Sequence, residues 1–422
     1  MIVATPPRAP TVVRRVSTTL VDQAASSGAN LLMVVAVAQR LAPDTFGAFA
    51  IAYAGLVLVL ACCRAWLGLP LALSTAADAV ERRRLLGGAC LLVLAAAPLV
   101  VGGIGFALPG VLALVGTATS PSTSLAVAVA AVLACLQDLA RYAAVADDRP
   151  GRALASDLVW LGGIAVLLVA PIALDERAVM LAWFAVIAAS AATGLVLTRP
   201  ILSLRHASAL VERGGGARGG STVVALLSTG TALALSTLVA ATFGAAASGS
   251  LLGAGTLLGP VNLLLALLDL AVLGRIVGLP PPHRRHVLVR VLAALWVVQL
   301  AWTLVLLALP TAVGEAVLGA TWPGAHALVG LVSVEYAVAA AVAVVSLDLK
   351  VRDVGGAMVL ARIAAGVVVL GGTALLAALA APLVAVPFAM LAGTVAALAI
   401  VLAGVARPPV RIHRRTFEEV AA

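Results

Sequence analysis

Twelve apolar stretches of close to twenty residues each follow one another almost without interruption between positions 18 and 402 of this 422-residue chain. A helix needs roughly 20 residues to cross the hydrocarbon core of a bilayer, so each stretch is long enough to span it. The expected spans are 18–39, 46–63, 85–107, 125–145, 153–172, 179–197, 223–243, 251–273, 287–309, 327–347, 357–379 and 383–402. No soluble domain of useful size fits between them. With 63% hydrophobic and 11% charged residues, the chain also lacks the polar surface that a soluble protein of this length would need. The expectation is an all-α integral membrane protein of about twelve transmembrane helices.

The formal net charge of +9 lies in short loops beside apolar stretches, with no basic face interleaved with aromatics, so no nucleic-acid partner is expected. The arginines read instead as topology signals. With the N-terminus in the cytoplasm, only Arg40 and Arg177 of the 27 Lys and Arg fall near the outer face. The positive-inside rule therefore puts both termini inside. The first seventeen residues, with Pro6, Pro7 and Pro10, form a polar cytoplasmic tail, and the apolar stretch after them is expected to be retained as a helix. The longest polar connection, 198–220, carries Gly214, Gly215 and Gly216 and reads as a flexible cytoplasmic tether. It divides the chain into a six-helix lobe at 18–197 and another at 221–404, followed by a cytoplasmic tail at 405–422. Thr45-Phe46-Gly47-Ala48 and Thr242-Phe243-Gly244-Ala245 follow the first span of each half, which reads either as the trace of an internal repeat or as a chance match of small-residue turns. Two like-oriented halves with a cavity between them suit a parallel-repeat transporter.

Polar side chains at membrane depth cost several kcal/mol unless they face a cavity or a partner, which makes them the functional signal. Asp22, Ser26 and Asn30 fall at i, i+4 and i+8 on the first span, with Gln23 and Ser27 beside them, and draw one polar stripe down one helical face. Asp22 and Asn30 read as cavity-lining, Ser26 and Ser27 as hydrogen-bonding glue between helices. On the fourth span Asp138 and Arg141 stand three apart, positioned either to pair or to let Arg141 snorkel toward the headgroups. Asp157 opens the next span, Asp269 lies near the inner end of the eighth, Gln299 and Glu335 are nearer mid-membrane, and Arg362 is about two turns into the eleventh. Asp157, Asp269 and Glu335 are the candidate acids for coupling transport to a proton or cation; the other reading of Glu335 is a structural partner of Arg362. Arg64, Arg141 and Arg362, all toward the cytoplasmic side, are candidates for a cationic cavity that receives a phosphate-bearing group, because guanidinium donates in a planar bidentate fork. Gly253, Gly255, Gly259 and Pro260 predict a kink in the eighth span, either lining the space between lobes or serving packing alone. Trp160, Trp183, Trp296 and Trp302 read as packing or interface residues. Cys62, Cys63, Cys90 and Cys135 all lie in apolar segments without a metal-ligand pattern, so neither metal nor cofactor is expected.

Val21-Asp22-Gln23 with Ser27 and Asn30, then Arg40-Leu41-Ala42-Pro43-Asp44-Thr45-Phe46-Gly47-Ala48, resembles the opening of the polysaccharide flippases of the multidrug/oligosaccharidyl-lipid/polysaccharide exporter superfamily. The resemblance continues at Leu136-Gln137-Asp138-Leu139-Ala140-Arg141-Tyr142, Asp148-Arg149-Pro150, Ser156-Asp157-Leu158-Val159-Trp160 and Gly259-Pro260-Val261-Asn262, and thins toward the C-terminus. It implies a two-lobed alternating-access transporter that moves a polyprenyl-pyrophosphate-linked oligosaccharide to the outer leaflet, without the extra pair of C-terminal helices that some relatives carry. Multidrug or cation-coupled efflux in the same superfamily is the alternative, and an integral-membrane glycan polymerase or glycosyltransferase the third reading. The last would need an outer loop rich in acids, histidines or a metal site, whereas these loops offer Asp44, Asp175, Glu176, Glu315 and His326. No GxxxxGK[ST] loop is present, so ATP hydrolysis by this chain is not expected. The single lysine, Lys350, amid abundant Ala, Val and Arg points to a GC-rich bacterial genome and a cytoplasmic-membrane location.

The charge bias yields a direct test of topology. Single cysteines at Gly216 and Asp175 in a cysteine-free background are expected to react with an impermeant thiol reagent from opposite sides of the membrane; labelling from one side would contradict this orientation.

Overall fold

The computed structural model describes residues 9–72, 78–114, 121–169, 176–212, 217–268, 272, 276–277, 279–352 and 355–406. The first half is built from α1 (Ala9–Ala38), α2 (Pro43–Cys63), α3 (Ala79–Val100), α4 (Pro121–Ala146), α5 (Pro150–Val169) and α6 (Glu176–Thr198). A short helix, α7 (Leu204–Glu212), precedes the second half: α8 (Ala217–Phe243), α9 (Ala245–Leu257), α10 (Gly259–Leu268), α11 (Pro281–Leu307), α12 (Thr311–Leu318), α13 (Trp322–Val351), α14 (Gly355–Ala378) and α15 (Val386–Ala406). Among the described residues ten helical stretches are long and apolar enough to cross a membrane, and α9 with α10 forms an apolar pair bent by 59°. In α1 the segment Ala24–Ala38 is apolar and carries Ser26, Ser27 and Asn30 of the polar stripe. These elements make up the expected bundle of about twelve helices.

Several boundaries follow from local chemistry. Pro43 sits at the start of α2, where its missing N–H costs nothing, with Asp44 in the first turn of the positive helix end. Asp78 caps α3 by accepting from the Glu81 N–H at 2.7 Å. The second and third crossings run further than expected. α2 continues through a π-helical turn at Arg64–Gly68 into Leu69–Ala72, so Arg64 lies inside the span and not at its end. Beyond Pro98, which cannot donate to the preceding turn, α3 continues through a π-helical stretch at Val101–Ala107. The kink expected in the eighth span is a break at Leu258, just before Gly259 and Pro260. There the Leu257 carbonyl accepts from Trp302 Nε1 at 2.8 Å, which satisfies a buried backbone group at the break.

Within the first lobe α1 packs on α5, and α4 on α2, α3 and α6; within the second, α14 packs on α8 and α15, and α13 on α9, α11 and α15. The lobes meet where α2 lies against α8 and α9 and where the end of α1 meets α9, α10 and α12. One core joins both lobes there, with Phe46 and Phe49 fully buried beside Ala254, Leu318 and Trp322. Phe49 stacks on Phe46 and Tyr53 at centroid distances of 6.1 and 5.6 Å and meets the edge of Trp183 at 6.1 Å. Trp183 is thus a packing residue.

The two Thr-Phe-Gly-Ala strings do not occupy equivalent places. The first lies inside α2, whereas the second spans the end of α8 and the turn at Gly244, whose φ of 92° requires glycine. They instead touch each other. A Cβ on Gly47 would lie 1.8 Å from the Ala245 carbonyl oxygen, and the Ala246 N–H donates to Asp44 Oδ1 at 3.3 Å. At the same end of the bundle Gln39 Nε2 donates to the Ala316 carbonyl, and Gly319 packs on the Ala38 carbonyl. Small residues let the two backbones close this end.

The connection read as a free tether is docked over its first half. The Ile201 N–H donates to the Arg83 carbonyl at 2.9 Å, Arg83 Nε donates to the Arg199 carbonyl at 2.5 Å, and His206 Nε2 lies 2.9 Å from Glu81 Oε1. α7 buries Ala207 and Leu210 on the face turned to α3. The sequence signal for a tether, the run at 214–216, lies outside the described residues. Docking depends on Gly87, whose added Cβ would sit 2.0 Å from the Ile201 carbonyl oxygen. Gly87→Val is therefore expected to release this segment, read as faster limited proteolysis between residues 198 and 212, with the membrane core intact; unchanged cleavage would contradict the docking.

Candidate functional site

The stripe on α1 faces α4 and α5 across a buried network of charges. Arg141 on α4 reaches Asp22 Oδ2 through Nη2 at 3.0 Å, Asp138 Oδ1 through Nη1 at 3.3 Å and Asp157 Oδ2 through Nε at 3.3 Å. Its Nη1 also donates to Ser26 Oγ at 3.2 Å. Asp138 is shared: Arg64 grips it from α2 in a bidentate fork, Nε to Oδ2 at 2.7 Å and Nη2 to Oδ1 at 3.0 Å. Asp157 accepts from Gln137 Nε2, and Ser156 and Ser190 exchange hydrogen bonds behind it at 2.9 Å in each direction. Two guanidiniums and three carboxylates thus lock α1, α2, α4 and α5 together.

Burial differs sharply across this network. The side chains of Asp22, Asp138 and Asp157 are 3, 4 and 0% exposed and Arg141 11%, but Arg64 is 40% exposed. Arg64 opens onto a cavity of about 590 Å³ between the lobes. From the first lobe it is lined by Ser26, Ser27, Asn30, Tyr53 and Arg64 with apolar residues of α1 and α2; from the second by Thr229 and Ser236 of α8, Thr256 of α9, Asn262 of α10, Tyr336 of α13 and apolar neighbours. Among the described lining residues Arg64 alone carries charge. Each lobe contributes an Asn–Tyr pair: the Tyr53 hydroxyl donates to Asn30 Oδ1 at 3.2 Å, and Asn262 Nδ2 donates to the Tyr336 hydroxyl at 3.0 Å.

Asn30 lines the cavity. Asp22 lies behind it as a partner of Arg141, and Ser26 and Ser27, read as glue, also line it. The Asp138–Arg141 pair forms. The expected trio of cavity arginines divides: Arg64 lines the cavity, Arg141 is held in the network behind it, and Arg362 lies on α14, outside the cavity lining. Glu335 accepts from Thr394 Oγ1 at 2.6 Å and makes no ion pair with Arg362, although each feels the other's charge. Gln299 donates to the Ser333 carbonyl and so reads as packing. Asp269 lies outside the described residues. Sequence reading passed over Tyr53 and Tyr336 as site residues. The available signal was that the three tyrosines of the chain all fall within apolar stretches.

No family model matches this chain, and none of the curated proteins does. Solved structures do. The lipid II flippase MurJ in an inward closed conformation is similar at TM-score 0.67 and 11% identity, over 94% of this chain and 88% of that one. An inward-facing multidrug resistance MATE family transporter of the MOP superfamily is similar at TM-score 0.63 and 13% identity, over 93% and 94%. A MOP superfamily transporter from Pyrococcus furiosus, described as having a binding pocket of reverse polarity, is similar at TM-score 0.62 and 14% identity, over 94% of each chain. The chain has the fold of MOP superfamily transporters, which are membrane transporters with an alternating-access architecture.

The network predicts opposite sensitivities for two neighbouring acids. Asp138→Asn removes the only carboxylate paired with Arg64 among the described residues and is expected to cost about 3 kcal/mol, the lower end for breaking a buried pair because Arg64 is partly exposed. Asp157→Asn leaves Arg141 with two carboxylates and keeps an acceptor for Gln137, so about 1 kcal/mol or less is expected. Thermal unfolding in detergent checks this; equal losses would contradict the assignment of partners.

Proposed function

We propose that this chain is a flippase of the bacterial cytoplasmic membrane that carries a polyprenyl-pyrophosphate-linked oligosaccharide from the inner to the outer leaflet during assembly of a cell-surface polysaccharide. The observation that carries this reading is the polarity of the cavity: its described lining holds one cation, Arg64, and no carboxylate. A diphosphate is a dianion or more at neutral pH, and a guanidinium in a site screened from bulk water is the side chain best matched to it. Asn30, Asn262, Tyr53 and Tyr336, with the hydroxyls of Ser27, Thr229, Ser236 and Thr256, offer donors and acceptors suited to sugar hydroxyls, while the apolar walls tolerate a lipid.

With both termini and the 198–220 connection cytoplasmic, the sealed end at Gly47 and Ala245 is the outer one, and the cavity belongs to an inward-facing state. The charge network supplies a candidate for energetic coupling. Among the described residues of the network three carboxylates face two guanidiniums, an excess of one negative charge that a proton or cation would neutralise. Arg141 already lies among the three acids, which favours a proton over a metal cation there, with the fully buried Asp157 as its acceptor. Glu335, bonded to Thr394 and near Arg362, is the corresponding candidate in the second lobe.

Cation-coupled drug efflux is the competing reading within the superfamily. A site for cationic drugs would place carboxylates or a denser aromatic wall on the cavity, whereas the described lining holds no carboxylate and two tyrosines.

Reconstitution in vesicles with a fluorescent lipid-linked oligosaccharide tests the proposal. Arg64→Gln is expected to lower flipping at least tenfold at matched protein levels, and Arg64→Lys to fall between it and the parent, because lysine keeps the charge but loses the fork. Unchanged flipping in Arg64→Gln would place the headgroup elsewhere; ethidium transport by the parent protein would favour efflux.

A further inference from the structure

A second cavity, of about 660 Å³, shares no lining residue with the first and lies among the start of α11 and the ends of α13 and α15. Its mouth and its depth differ in chemistry. At the mouth stand Arg285 and His286 of α11 and Arg352 of α13; the walls are aliphatic, with Leu288 and Leu292 one and two turns along α11, Val345 on α13 and Leu402 on α15.

The charge at the mouth is unbalanced. Asp348, 10% exposed, holds Arg284 Nε at 2.5 Å on one carboxylate oxygen and Arg352 Nε at 2.7 Å on the other. Arg352 also donates from Nη1 to the Val405 carbonyl at 2.9 Å, so it ties α13 to α15. One acid thus serves two arginines. Arg285, exposed, has no ion-pair partner among the described residues, and the group keeps a net positive charge at the rim of an apolar slot.

We propose that this cavity is a binding site for an anionic phospholipid of the surrounding leaflet, its phosphate held by Arg285 and Arg352 and an acyl chain lying along Leu288, Leu292 and Leu402. A phosphate at the mouth restores charge balance, and the aliphatic walls receive what a soluble anion cannot offer. Basic pockets between transmembrane helices on the cytoplasmic side recognise anionic headgroups in the same way. The site is separate from the transport cavity and does not depend on what that cavity carries. Its effect is mechanical: a lipid wedged here braces α11, α13 and α15, three helices of the lobe that must move as a unit.

Native mass spectrometry of protein released from nanodiscs made of equal parts phosphatidylglycerol and phosphatidylcholine tests the site. One phosphatidylglycerol per chain is expected to be retained in preference to phosphatidylcholine. Arg285→Gln, which breaks no ion pair among the described residues, is expected to lower that preference roughly fivefold, the effect of one basic residue at a membrane surface. Leu292→Trp, which fills the slot without touching the charges, is expected to lower retention of both lipids. Arg64→Gln is expected to leave retention unchanged. Equal retention of the two lipids by the parent protein, or an Arg285→Gln variant that keeps the parental preference, would overturn the proposal.

Discussion

Arg141 is the side chain around which the first lobe is organised. A guanidinium at membrane depth cannot stand unpaired, and the only way to keep it is to bring carboxylates from other helices to its several donors. Asp22 of α1, Asp138 of α4 and Asp157 of α5 do so, and the surplus acid capacity of Asp138 draws in Arg64 from α2. The network fixes the relative rotation of four helices at once. It also decides which polar atoms are left to face the inter-lobe space: Arg64, Ser26, Ser27 and Asn30. The π-helical turn beginning at Arg64 belongs to the same arrangement, since such turns recur where a functional side chain must be aimed out of the regular helical register.

The lobes are joined by a different kind of contact. Charge pairs dominate inside the first lobe, whereas the seal between lobes combines a shared apolar core and two hydrogen bonds, from Gln39 and to Asp44, with close backbone approach at Gly47 and Gly319. Van der Waals contact between backbones of this kind is strong enough to close one end and holds no buried charge that would have to be broken on opening. A transporter that alternates needs that combination: rigid lobes and a separable seam. The break at Leu258 adds to the seam, since Gly259 packs on Leu31 of the first lobe and the redirected α10 carries Asn262 into the cavity.

Features governed by local chemistry were legible in the sequence. Hydropathy length marked the spans, helical periodicity marked the polar stripe of Asp22, Ser26 and Asn30, and glycine with proline marked the break in the eighth span. The neighbour pair Asp138–Arg141 was legible for the same reason. The Arg64–Asp138 fork was not, because its partners stand 74 residues apart on different helices and only tertiary packing brings them together. The docked linker escaped notice because its anchor is the missing Cβ of Gly87, and glycine in a sequence does not announce what will approach it. The three arginines expected to act together were grouped by depth alone; depth says nothing of the face on which each side chain emerges, and Arg362 emerges away from the others. The two Thr-Phe-Gly-Ala strings were matched by position in the sequence, yet the second helix of each half starts at a different point relative to the string.

The central claim is that the cavity selects an anionic lipid headgroup through the one cation that the network presents. Competition binding to the purified protein tests it most directly, with a polyprenyl diphosphate, the corresponding uncharged polyprenol and a cationic drug such as ethidium measured side by side. The account predicts saturable binding of the diphosphate, at least tenfold weaker binding of the polyprenol, and no displacement of the diphosphate by ethidium. Tight binding of ethidium with no preference for the diphosphate over the polyprenol would contradict it.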